Sequence, residues 1–211
     1  MTASVERIEI DRDAFEPDAE LADLELSERD LSGVDVTHGD LARCRFTGVR
    51  LAGAVFAHAR VVDLDLVRCD LAGVDFAEAT LMRMQATDCR FTGANFGQTT
   101  LKHATFTDCR VDDTNFRLAQ LHDVRFDACG LAATDFTAAK LERVTFPQSD
   151  CSGVEFTQVK CDEVDLRTAR LAGIRGAAAL RGATIGRDQL VPLAPDLAAA
   201  IGLKVLDEET T

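Results

Sequence analysis

The sequence has no tryptophan and no tyrosine, while phenylalanine occurs 12 times. An ordinary core draws on all three aromatics, so some narrower geometric demand selects Phe. No window approaches 18 consecutive apolar residues, which excludes a membrane-spanning helix. The start, Met1-Thr2-Ala3-Ser4-Val5-Glu6-Arg7, lacks a basic segment followed by an apolar one, so no secretory signal is expected. Seven cysteines without such a signal predict reduced thiols in a cytoplasmic protein, and an odd number cannot pair completely. Also missing are C-x-x-C, H-E-x-x-H, G-x-S-x-G, a Walker loop and G-x-G-x-x-G. With none of these, the sequence predicts neither an enzyme nor a bound metal or cofactor.

What is present is acidic. The net charge of −13 disfavours direct contact with nucleic acid or an anionic membrane. Residues 1–40 carry 13 acids against 3 arginines, whereas residues 41–200 balance to −1, so the acidity belongs mostly to the N-terminal end.

The dominant signal is a repeat. Every fifth residue from Leu21 to Leu171 gives 31 positions holding 14 Leu, 11 Phe, 3 Val, 2 Cys and Ala86, and the register never slips. Two residues before each lies a smaller set, including Cys44, Val49, Ala54, Cys69, Cys89 and Ala94. A period of five suits neither a helix nor a flat strand. It suits a coil that turns a corner every five residues and points one large and one small side chain inward per side. Four sides make a 20-residue turn, and the sequence supports that longer period. Phe56, Phe76, Phe96, Phe116, Phe136 and Phe156 recur at it, as do Cys69, Cys89, Cys109 and Cys129. Gly33, Gly53, Gly73 and Gly93 recur too, where a corner with positive φ is expected.

Segments such as Ala72-Gly73-Val74-Asp75-Phe76 and Thr92-Gly93-Ala94-Asn95-Phe96 resemble the A(D/N)LXX unit of pentapeptide-repeat proteins. The resemblance spans residues 19–175 and implies an all-β fold, a right-handed quadrilateral β-helix of about eight turns. Residues 1–18, with Ile8, Ile10, Phe15 and Pro17, are expected to cap the first turn. Residues 176–211 are expected to form a C-terminal cap or dimerisation element with an acidic tail. Asp196 after Pro195 predicts the start of a short helix and Gly202 its end, with Leu190, Leu193, Leu197 and Ile201 on one side.

In style the chain is similar to the loop-free MfpA-type and, more distantly, the Qnr-type gyrase-interacting fluoroquinolone-resistance proteins. That resemblance implies a homodimer built by the C-terminal element and a DNA mimic that binds DNA gyrase or a related type II topoisomerase. Two outcomes are implied, inhibition of the enzyme or its protection from a drug or toxin; a non-catalytic scaffold for an unrelated partner is the alternative. Duplex DNA carries one charge per ~1.7 Å, so a rod of ~37 Å would need roughly 22 negative charges along it. Only the first turn matches that density. Among the four faces, the one above the Phe56 column is the most acidic, with Asp35, Asp75, Glu78, Asp135 and Glu155 against Arg117. Those acids are the candidate gyrase-contacting face. The face of Leu81, Leu101 and Leu121 is slightly positive, with Arg60, Arg83, Lys102, Lys140 and Lys160. The column Asp23, Arg43, Asp63, Arg83, His103, Asp123, Arg143, Glu163 alternates in sign and is read as structural. The stacked cysteines are read as small buried hydrophobes.

Overall fold

The computed structural model describes residues 11–204. Ile8, Ile10 and the acidic residues of the tail lie outside the described residues. The chain winds as a four-sided parallel β-solenoid. One ladder contains β1 (Glu20–Ala22), β3 (Asp40–Thr47), β4 (Arg60–Val67), β5 (Thr80–Thr87), β6 (Thr100–Thr107), β7 (Gln120–Asp127), β8 (Lys140–Thr145) and β9 (Lys160–Asp162), with β2 (Glu25–Ser27) also paired to β3. Each residue faces its counterpart 20 positions on, as in Leu41↔Val61, Val61↔Leu81 and Leu101↔Leu121. The ladder makes about seven full turns; the expected eight counts the rungs at both ends. The other two sides are held by isolated bridges in the same register, one series running Asp30↔Arg50↔Asp70↔Arg90 and another Asp35↔Val55↔Asp75↔Asn95.

The corners explain the period. From Leu21 to Cys161, the residue two after each large inward position has positive φ, from Asp23 at 58° to Glu163 at 52°. At Gly73 this conformation costs nothing, and an added Cβ would meet no atom within 4 Å. Twenty-four of the positive-φ residues are not glycine. Each of those departs from its preferred backbone at a cost of roughly 1–2 kcal/mol. The left-handed turn is kept because it lets the corner N–H donate to the rung above: Gly73 to the Thr92 carbonyl at 3.0 Å, His38 to that of Ala57 at 2.9 Å. A local preference is overridden by the ladder.

The large residues fill the interior. Phe56, Phe76, Phe96, Phe116, Phe136 and Phe156 form a buried stack with ring centroids 4.8–5.7 Å apart. Phe106, Phe126 and Phe146 form a second stack, and Phe116 meets Phe126 edge to face at 6.0 Å. Offset and edge-to-face pairs add ~0.5–1.5 kcal/mol each beyond area burial. A flat ring also matches the rung spacing of a parallel ladder, ~4.8 Å, and carries no hydroxyl that would need a partner at the axis. The absence of Tyr and Trp has this cause.

The smaller inward position has a second duty. Thr99, Thr114, Thr134 and Ser149 donate their buried hydroxyls to the carbonyls of Phe76, Phe91, Val111 and Phe126, each 23 residues earlier, at 2.6–2.9 Å. Cys69, Cys109 and Cys129 donate their thiols to the carbonyls of Phe46, Ala86 and Phe106 at 3.3–3.4 Å. Cysteine is therefore more than a small hydrophobe here: it tethers adjacent rungs.

Both ends are covered. At the first turn Phe15 is buried, and Arg12 donates to the carbonyls of Asp30 and Ser32. At the other end the bridge Asp165↔Thr184 carries the ladder past Gly176. A 3-10 turn, Arg187–Gln189, then leads into α1 (Leu190–Ala200). The predicted start at Asp196 is corrected: α1 begins at Leu190 and contains Pro195. Pro192 falls in the first turn, where the N–H has no partner within the helix, and Pro195 removes a single backbone bond. Gln189 fixes the entry, accepting from the Gly186 N–H at 2.5 Å and donating to the carbonyls of Leu166 and Ala169 at 2.6 and 2.5 Å. Gly202 ends the segment with φ of 80°, as expected.

Candidate protein interaction surfaces

The acidic column runs Asp35, Val55, Asp75, Asn95, Asn115, Asp135, Glu155, Arg175 up one face. Its carboxylates are turned back onto the chain. Asp35, Asp75, Asp135 and Glu155 each accept the backbone N–H two residues on, from Thr37, Ala77, Thr137 and Thr157, at 2.7–2.9 Å. Thr37 also bonds Asp35 through its hydroxyl and holds the carboxyl below its ordinary pKa. At Asp135 burial pushes the carboxyl up, but bonds from Thr137 and Arg117 outweigh it. Arg117 lies 3.0 Å from Asp135, and Arg175 lies 2.7 Å from Glu155. Arg175 stands at the top of the column, and with Arg117 it leaves this face, Glu78 included, at a net −3. Asp75 instead accepts from the Asn95 amide at 2.9 Å, and Asn95 accepts from Asn115 at 2.8 Å. Glu78 stands at the adjoining corner, 3.6 Å from His58. Four of the five candidate acids thus share one column with their orientations fixed by backbone N–H groups, Glu78 flanks it at the corner, and only Asp135 and Glu155 have arginine partners.

Elsewhere on the rod, arginine and aspartate neutralise one another across rungs. Arg43–Asp23, Arg83–Asp63, Arg90–Asp70, Arg143–Asp123 and Arg170–Asp150 pair at 2.5–2.7 Å across 20 residues. These surface pairs are worth little singly, ~0–1 kcal/mol. Their consequence for recognition is larger, because they leave the middle of the rod with little net field.

Histidines and thiols are also present among the described residues. His38 and His58 stack at 4.8 Å, as their spacing predicts. No group of three His, Cys, Asp or Glu side chains that could hold a metal occurs among the described residues. Burial pushes the Cys151 thiol up to about 12, far from a reactive thiolate. No helix among the described residues is long and apolar enough to cross a membrane.

The C-terminal element divides its candidate residues. Leu193 is 2% exposed and closes the end of the core. Leu190, Leu197 and Ile201 are exposed, and so are Val191 and Leu203. Leu190, Leu197, Ile201 and Leu203 border an apolar groove of about 630 Å³ together with Ile174, Leu180 and Ile185. Sequence periodicity placed Leu193 with its neighbours because a helix pattern alone does not say which leucine the solenoid end claims.

Fold and surface define a repeat-built β-solenoid in which an unbroken register of large and small side chains faces inward and the charged residues face outward. A family profile described as a pentapeptide repeat region matches residues 79–156, and one described as pentapeptide repeats (8 copies) matches residues 30–63. Together these cover more than half of the sequence, and the chain belongs to the pentapeptide-repeat family. Among solved structures, full-length QnrB1, a plasmid-mediated fluoroquinolone resistance protein, is similar with 17% identity and a TM-score of 0.57, over 89% of this chain and 93% of QnrB1. HetL, a pentapeptide repeat protein involved in heterocyst differentiation regulation from the cyanobacterium Nostoc sp., matches with 20% identity and a TM-score of 0.44, over 78% of this chain and 86% of HetL. No curated protein matches the chain. At these identities the likeness to QnrB1 concerns the fold.

Proposed function

We propose that the protein is a non-catalytic ligand of a type II topoisomerase, binding DNA gyrase through the acidic face as a short mimic of duplex DNA. One observation carries this reading: Asp35, Asp75, Asp135 and Glu155 form a single column with carboxylates held by backbone N–H groups, so they are presented at multiples of the rung spacing without further ordering cost. The solenoid shared with a fluoroquinolone resistance protein supports the same reading. The exposed leucines of α1 suit a homodimer that would set two such faces end to end. The test is a gyrase supercoiling assay titrated with the protein, with and without a fluoroquinolone. Inhibition at micromolar protein or below is expected, and reduced drug-stabilised cleavage in the same tubes would make the protein a protector. No effect from folded protein would remove gyrase as the partner.

The paired arginines favour a second reading, a scaffold for an unrelated protein. A body with so little net field suits partners recognised by shape and local hydrogen bonding rather than by phosphate-like charge.

A further inference from the structure

The lysines do not follow the rule that governs the arginines. Thirteen arginines are ion-paired among the described residues. The three lysines of the rod, Lys102, Lys140 and Lys160, are exposed, have no ion pair, and all lie on the side built by β6 to β9. Arginine's planar fork suits a fixed bidentate pair, whereas lysine is a mobile point charge. The outward column here reads Thr100, Gln120, Lys140, Lys160, and the adjoining corner column reads Gln98, Leu118, Ala138, Gln158. On a chain of net charge −13, this is a strip two columns wide without a single acid. The next outward column reads Met82, Lys102, His122, Glu142, Asp162, so Lys102 borders the strip from the column that carries the nearest acids, of which Glu142 is engaged by His122 at 2.9 Å and by Arg143.

Two further features lie at the strip's edges. A depression of about 400 Å³ is bordered by Thr100, Lys102, Gln120, His122, Lys140 and Glu142. At the corner, Leu118 is 57% exposed with φ of 60°. A bulky side chain there bears the strain of a left-handed corner and gains no burial for it. Neither packing nor backbone geometry accounts for leucine at that position; contact with a partner would.

We propose that this strip, together with Lys102 at its border, is a second interaction surface, which takes an acidic segment of a partner protein, its carboxylates over Lys102 and Lys140 and an apolar side chain against Leu118. Charge complementarity sets the sign of the partner, and the depression between the two ammonium groups sets its scale, that of one or two carboxylate side chains. The strip adjoins the acidic face and meets it at the corner column that runs from Glu78 through Gln98 to Leu118, so its lysines, not that corner, separate the two readings.

The test uses fluorescence anisotropy at low salt with the full chain and a labelled peptide of repeating Glu-Leu-Glu units; a Gln-Leu-Gln peptide of equal length is the neutral control. The acidic peptide should bind and the neutral one should not. Lys102→Glu with Lys140→Glu should weaken binding at least about tenfold, since two pairs are lost and replaced by repulsion. Leu118→Gly, which suits the corner and should leave the melt unchanged or raised, should weaken it about threefold. Asp75→Asn, on the other face, should have no effect. Absence of binding by the folded protein, equal binding of the neutral peptide, or wild-type affinity in the double lysine variant would overturn the proposal. Displacement of the peptide by duplex DNA at lower concentration would assign the strip to nucleic acid instead.

Discussion

Thr99 donates its hydroxyl to the carbonyl of Phe76 at 2.6 Å, joining residues 23 positions apart through the interior. The bond is wholly buried, and its acceptor also takes the Ala79 N–H of its own rung. Thr99→Val keeps the shape and removes the donor. A loss of about 1 kcal/mol is expected, in the range for a buried neutral hydrogen bond. Urea unfolding should show a lower midpoint with unchanged slope.

Phe116 is flanked at 4.8 Å by Phe96 and at 5.0 Å by Phe136. Phe116→Ala should cost ~3–5 kcal/mol, through lost burial and a cavity that a rigid ladder cannot collapse. Phe116→Asp should abolish the cooperative melt of the middle turns, because it places an unpaired charge at the axis. A thermal scan by circular dichroism distinguishes both from wild type; an unchanged melt for the aspartate variant would refute the inward register.

Corner strain is measurable separately from packing. Gly73 has φ of 63° and open space around a would-be Cβ. Gly73→Ala should still cost about 1 kcal/mol, entirely through the backbone. Ala133, with φ of 57°, is the reciprocal case, and Ala133→Gly should be neutral or slightly stabilising. Chemical denaturation of the pair reads out the sign of each.

Acid sensitivity follows from the rung-to-rung pairs. Hydrogen bonds from Arg43, Arg50 and Arg83 hold Asp23, Asp30 and Asp63 below the ordinary carboxylate range. A carboxyl whose pKa is lowered by folding contributes stability that is complete above its unfolded value and lost as pH falls through the folded one. These groups are exposed, so the effect of each is small. The melting temperature should be insensitive to them between pH 7 and roughly pH 5 and should decline below about pH 4. A decline that these carboxylates cause must shrink when Asp23, Asp30 and Asp63 are replaced by asparagine.

The candidate gyrase face has its own variant. Asp75→Arg with Asp135→Arg reverses two carboxylates of the column and frees Arg117 from its partner. Gyrase inhibition should be lost while the melt moves little, since neither side chain enters the core. Retained inhibition would transfer the contact to another face.

Much of the fold was legible in the sequence because the five-residue register runs unbroken from Leu21 to Leu171 and the Phe, Cys and Gly columns recur within it every 20 residues. Phe56 to Phe156 declare a stack by recurrence alone, and the ladder's register follows from the same spacing. Charge compensation was harder to read. Asp23 with Arg43 shares a column and is visible as an alternation, but Arg117 reaches Asp135 over 18 residues, between columns, and that depends on how long side chains lean. The thiol and hydroxyl donors were hidden for a related reason: a 23-residue offset joins a small inward position to the carbonyl of a different side. At the end of the rod, Pro195 followed by Asp196 reads as a helix boundary, whereas Gln189, bonded to the carbonyls of Leu166 and Ala169, sets an earlier start.

The positive-φ corners, one every five residues, also limit how such a chain can change in length. Removing one residue between Leu21 and Leu171 would turn every later leucine and phenylalanine outward, much as a frameshift scrambles the codons after it. Removing 20 consecutive residues deletes a rung and leaves the rest in phase, with each inward column simply shorter. The protein's reach along a partner is therefore adjustable only in whole steps of ~4.8 Å. Two relatives that differ by one such step would present the same faces to surfaces of different extent.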